Sequence, residues 1–188
     1  TDFLGIRDEI DMRSDSEVDG EDGIFGTADD ITSSSLGDRV DYIRRPIAPY
    51  ASGINLNSIV QTEYYVALMK RVINDVCAEK PCYMHCMAGA DRTGTFCALI
   101  EAICGVSAED IDKEYELTSF SVDHTRTRTG KGWRAFMDAL NDFPGDSLRD
   151  KAIAYALSAG VTLAEINALR CALIDGSPEP IGGVGEGY

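Results

Sequence analysis

The chain has 188 residues, with 17 Lys and Arg against 32 Asp and Glu for a formal net charge of −15, and 44% of it is hydrophobic. That length and apolar content suffice for one ordinary globular domain and exclude a disordered chain. The acidic excess repels nucleic acid and anionic lipid headgroups at long range, so an anionic ligand must be held by a local device.

No run approaches the roughly 20 apolar residues of a membrane span, so no stable membrane insertion is expected. The opening Thr1-Asp2-Phe3-Leu4-Gly5 lacks the basic and apolar regions of a signal peptide and also an initiator Met, as a processed or excised piece would. The compartment is left open, with the cytoplasm as default and secretion or cell-surface display compatible. Five of six cysteines (Cys77, Cys82, Cys86, Cys97, Cys104 and, apart, Cys171) fall in one largely apolar stretch. This reads as buried reduced thiols and one reactive thiol, not a disulfide framework. With two histidines and no C-x-x-C, neither a metal centre nor a cofactor is expected.

In chain order, Glu9 to Arg13 reads as a strand. Ser14 to Gly37 follows, rich in Asp and Glu without one Lys or Arg. Asp15, Glu17, Asp19 and Gly20 partly follow the spacing of a calcium loop, but Gly26 stands where the bidentate Glu belongs; the alternative is a solvated loop. Arg39 to Ile47 is a second strand. Tyr65, Leu68, Met69, Val72, Ile73 and Val76 recur at helical spacing within a helix from about Ser58 to Glu79, closed by Pro81. Cys82 to His85 is a third strand, and a helix from Thr93 or Gly94 runs to Cys104 with Gly105 as its stop. Ser107 caps a helix from Ala108 to about Leu117. Helices over Trp133–Leu140, Leu148–Ala159 and Leu163–Ile174 complete the chain, the last opened by the capping box Thr162-Leu163-Ala164-Glu165. The order predicts an α/β fold: a mostly parallel central sheet flanked by helices, with a helical C-terminal half. Residues 1–175 are expected to form one domain and residues 176–188 a flexible tail.

The chemistry concentrates in Met84-His85-Cys86-Met87-Ala88-Gly89-Ala90-Asp91-Arg92-Thr93-Gly94. A tight loop feeding a helix N-terminus aims successive backbone N–H groups inward, so Met87, Ala88, Gly89, Ala90, Asp91 and Arg92 form a nest for phosphate oxygens. The same field favours the thiolate of Cys86 as a nucleophile. Arg92 supplies a planar fork for two phosphate oxygens, and the Thr93 hydroxyl is placed to donate to the Cys86 sulfur. His85 is expected to brace the loop from behind.

These residues resemble the H-C-x5-R-[ST]-G signature of the cysteine-dependent protein tyrosine phosphatase superfamily, and most of all its bacterial tyrosine and dual-specificity branch with H-C-x-A-G-x-D-R-T-G loops. Gly5 to Ser14 is similar to that branch's G-I-x-x-x-I-D-L-R-S strand. Gly160-Val161-Thr162 with Glu165-Ile166 and Leu169-Arg170 is similar to its closing helix, so the likeness spans residues 5 to 174. It implies a tyrosine-phosphatase-like fold and a phosphomonoester hydrolase working through a phosphocysteine intermediate. Its substrates would be phosphotyrosine proteins, with dual specificity, or alternatively phosphoinositides and inositol polyphosphates. An upstream segment of the branch is absent, which points to a truncated N-terminus.

Many relatives carry the general acid after the second strand, yet Pro46 to Thr62 holds no Asp or Glu. Asp91 is therefore the leading proton donor, with a loop-holding role as its alternative; Asp123 comes second, and Asp38 or Asp41 third. Arg126 to Arg134 carries four basic residues and no acid. Arg126 and Arg128 are expected either to line the pocket rim and bind further substrate phosphates, or to pair with the acidic segment. Two other classes remain: a non-catalytic phosphate-binding module, against which intact Cys86, Arg92 and Thr93 argue, and rhodanese-like sulfur transfer, against which Arg-Thr-Gly argues.

Overall fold

A computed structural model describes residues 3–47, 59–120 and 125–182, with side chains from residue 63 onward in the second range. Strands β1 (Asp8–Asp11), β2 (Asp41–Arg44) and β3 (Cys82–His85) form a sheet of order β2-β1-β3, parallel throughout. The register aligns Asp8 with Asp41 and Cys82, and Asp11 with Arg44 and His85. All three chains therefore leave the sheet at the same edge, where open parallel sheets bind their ligands. Helices α1 (Ile59–Cys77), α2 (Arg92–Cys104), α3 (Ala108–Leu117), α4 (Lys131–Asn141), α5 (Leu148–Ser158) and α6 (Leu163–Leu173) supply the rest. One cluster of buried hydrophobic residues runs from Ile10 to Leu169.

The expected helices recur with ends moved by one or two residues, because terminal turns are set by caps more than by apolar spacing. Ser107 Oγ accepts from the Asp110 N–H, and Thr162 and Glu165 close the capping box of α6. The predicted start of α1 at Ser58 lies outside the described residues.

Helix α2 is buried on most sides, through Phe96, Ala98, Leu99, Ile100, Ala102 and Ile103, and packs against α3, α5 and α6. At its far end Gly105 takes the left-handed φ of 91° that closes the helix, and the buried Arg170 donates from Nη1 to the Ile103 carbonyl at 2.7 Å. A helix held this way presents its N-terminus at a fixed place. Among the described residues, no helix is long and apolar enough to cross a membrane.

Candidate active site

Cys86 follows β3 directly, is 6% exposed, and starts the loop that ends where Arg92 opens α2. Gly89 adopts φ 71°, a conformation that costs any residue with a Cβ, so the turn depends on glycine here. The first hydrogen bonds of α2 are Gly94 N–H to the Ala90 carbonyl (3.0 Å) and Thr95 N–H to the Asp91 carbonyl (2.9 Å). The N–H groups ahead of Gly94 thus have no carbonyl partner inside the helix, which is the anion-binding property of such a turn.

Arg92 is buried and held from the ends of the other two strands. Its Nη1 donates to the Met12 and Ile47 carbonyls, both at 3.3 Å. Its Nη1 and Nη2 each donate to one oxygen of Glu17 at 2.6 Å, a bidentate pair. Glu17 is held in turn by the Ser14 N–H (2.8 Å) and hydroxyl (2.7 Å). The Arg92 guanidinium, then Ser14, bring the Glu17 carboxyl down from 4.5 to about 2 against the opposing effect of burial. Spacing alone does not single out Glu17; the signal for it is Ser14-x-x-Glu17, a capping pattern directly after a strand.

His85 ends β3 directly before the loop. Its Nδ1 lies 3.2 Å from the Cys86 carbonyl oxygen and its Nε2 2.9 Å from Glu9 Oε1. Glu9 is buried in β1 and also accepts from the Ser34 hydroxyl, so β1 and the acidic segment brace the strand that delivers Cys86. The Thr93 hydroxyl does not make the expected bond to sulfur. It is buried without a hydrogen-bond partner among the described residues, a donor lacking an acceptor. A cleft of about 500 Å³ opens beside the first half of the loop, lined among others by Arg13, Tyr83, Cys86, Met87 and Gly89.

The candidates for the general acid are redistributed. Asp91 accepts three hydrogen bonds, from Arg126 Nε (3.0 Å), Arg126 Nη2 (2.7 Å) and the Tyr115 hydroxyl (3.0 Å). Both of its oxygens act as acceptors, the geometry of the loop-holding alternative. Asp41 begins β2 at the sheet edge opposite Cys86, and Asp38 lies before it. The four-residue length of the strands puts that edge roughly 13 Å from the loop, too far for proton transfer. Asp123 lies outside the described residues.

Arg126 and Arg128 are both engaged by neighbouring carboxylates. Arg126 pairs with Asp91, while Arg128 donates from its N–H (2.9 Å) and Nη2 (2.6 Å) to Glu116. The acidic segment finds other partners: Glu17 holds Arg92, Asp15 pairs with Arg44 at 3.0 Å, and Asp29 accepts the Glu21 and Asp22 N–H groups. Among the described residues, no three His, Cys, Asp or Glu are grouped to hold a metal ion. All six cysteines are free thiols.

Residues 1–174 match the model of the Tyrosine phosphatase family. No curated protein matches the chain.

Proposed function

Because this chain belongs to the tyrosine phosphatase family, and is by that membership a phosphatase, we propose that it hydrolyses phosphotyrosine in proteins through a phosphocysteine on Cys86. One observation carries the reading: Cys86 and Arg92 stand at the two ends of a glycine-dependent loop, over a helix N-terminus, with the guanidinium braced from both neighbouring strand ends.

In the first step the Cys86 thiolate attacks phosphorus as the P–O bond to the tyrosine oxygen breaks, the phenolate leaving and taking a proton from solvent, while the loop N–H groups and Arg92 take up the charge on the equatorial oxygens. A guanidinium offers two bidentate edges. Glu17 takes one of them, the end-on pair Nη1 with Nη2, and so fixes the plane of the fork. In the second step water attacks the phosphocysteine and the sulfur leaves. The buried Thr93 hydroxyl supplies a donor for that sulfur once the loop is charged with phosphate.

The protein substrate is favoured over a phosphoinositide by what borders the loop. Met87, Tyr83 and Ile31 are exposed on the adjoining cleft among the polar Arg13, Ser33 and Ser35, a mixed rim suited to side chains flanking a phosphorylated residue. The arginines expected to recognise extra phosphates are paired with Asp91 and Glu116 instead. Side-by-side turnover of a phosphotyrosine peptide, a phosphothreonine peptide and a phosphoinositide tests this. The phosphotyrosine peptide is expected to have the highest kcat/KM, and a phosphoinositide preferred by tenfold or so would reverse the assignment.

A further inference from the structure

The segment from Arg126 to Trp133 lies along one face of α3. Asp112, Tyr115, Glu116 and Ser119 are spaced so that all four lie near that face, and each takes a partner from the segment. Trp133 Nε1 donates to Asp112 at 2.6 Å, and the Trp133 ring stacks on Tyr115 with centroids 4.0 Å apart and 12° between planes. Glu116 accepts from the Arg128 N–H and guanidinium. Ser119 Oγ accepts from the Arg126 N–H and donates to the Arg126 carbonyl, both at 2.7 Å.

From this clip Arg126 reaches across to Asp91, the last residue before Arg92 in the phosphate loop. Tyr115 reaches the same carboxylate from α3, its ring lying over Gly94, where a Cβ would stand 3.4 Å from Cδ2. Tyr115 is 4% exposed, and burial with the Asp91 bond raises its phenol well above the ordinary range, so it stays a donor at any working pH.

We propose that Arg126 and Tyr115 are positioning residues that act through Asp91 to set the register between the loop and the first turn of α2, and so the aim of Arg92. The proposal rests on the phosphatase reading above and assigns Arg126 a role other than contact with substrate. A misplacement near 1 Å in such a site costs about 10²-fold in rate. The fork geometry matters: a lysine keeps the charge at position 126 but not the two parallel N–H bonds.

The test is a double-mutant cycle on a small aryl phosphate, whose good leaving group needs little acid help and which is too small to reach a rim. Arg126→Ala and Asp91→Asn are each expected to lower kcat about 10- to 100-fold with KM moved less than about threefold. The double variant is expected to match the more severe single variant instead of multiplying the losses. Arg126→Lys is expected to recover less than half of the lost rate, and Tyr115→Phe to lose roughly three- to tenfold. Multiplicative losses, full rescue by lysine, or unchanged kcat with KM raised only for multiply phosphorylated substrates would each overturn the proposal, the last in favour of a rim contact. Should Arg126→Ala fail to fold, the Asp91→Asn and Tyr115→Phe cycle decides by the same criterion. Absence of any wild-type turnover refutes the phosphatase reading, and the cycle is then read from vanadate affinity, with non-additive losses expected and additive ones overturning the proposal.

Discussion

Cys86→Ser is expected to lower turnover of an aryl phosphate by a factor on the order of 10⁴ or more, while binding of phosphate or vanadate changes little. The loss follows from the bond that is made. A hydroxyl in the same place has an ordinary alcohol's resistance to ionisation. Binding is expected to survive because the nest, the helix N-terminus and Arg92 do not depend on the sulfur. Thiol and hydroxyl are close in size, so the 6% exposed position should accept serine without collapse of the surrounding core. Retained turnover in the variant, checked by phosphate release at saturating substrate, would refute the nucleophile assignment.

Arg92→Lys is expected to cost about 10²- to 10³-fold in kcat, although the charge is kept. Lysine offers a point charge, whereas Arg92 presents a planar fork that Glu17 holds through two parallel N–H bonds, a geometry that lysine cannot keep. The partner of that fork carries a second, separable effect. Glu17→Ala leaves a buried guanidinium without its carboxylate and is expected to destabilise the fold by about 3 kcal/mol, the lower end for a broken buried pair, since the Met12 and Ile47 carbonyls remain as acceptors. The pH dependence has a definite sign. The Glu17 carboxyl is lowered from 4.5 to about 2 in the folded chain, so its contribution is fully present above 4.5 and is lost as the pH falls toward 2. Urea denaturation from pH 6 down to 2 is expected to show a steeper loss of stability for the wild type than for Glu17→Gln. Parallel curves would mean that the pair does not contribute as described.

Much of the phosphate loop is legible from local sequence because its parts are neighbours. Six positions carry the chain from Cys86 through the turn to Arg92, and the strand, the positive-φ glycine and the helix start all follow from spacing and residue type. The supports are not legible in this way. Glu17 and Arg92 are 75 residues apart, and Asp91 and Arg126 are 35 apart. The first meeting depends on β1 lying beside β3 in parallel with Asp11 opposite His85, so that the chain leaving β1 arrives next to the loop leaving β3, and the second on α3 packing against α2. Apolar spacing predicts the strands but not that register.

The same distance in sequence separates the charges of the basic and acidic segments from their partners. An Arg-rich stretch beside an anion-binding loop suggests contact with the anion, yet Asp112, Glu116 and Asp91 supply nearer acceptors from α3 and from the loop itself. The acidic stretch after β1 suggests a solvated loop or calcium ligands. In the fold, one of its carboxylates becomes the brace of the buried arginine, and Asp22, Asp29 and Asp30 cap the stretch's own backbone. The net charge of −15 is thus compatible with a phosphate site, because the local positive field of loop, helix and Arg92 is assembled where the sheet ends.

The covalent intermediate is the centre of the account, and acid-quench trapping tests it most directly. Enzyme mixed with an aryl phosphate, stopped in acid within the first turnovers and digested, is expected to yield a phosphoryl group on the peptide that contains Cys86, absent from Cys86→Ser. Full turnover with the phosphoryl group on another residue, or with direct transfer to water and no adduct on Cys86 under conditions that accumulate the intermediate, would contradict it.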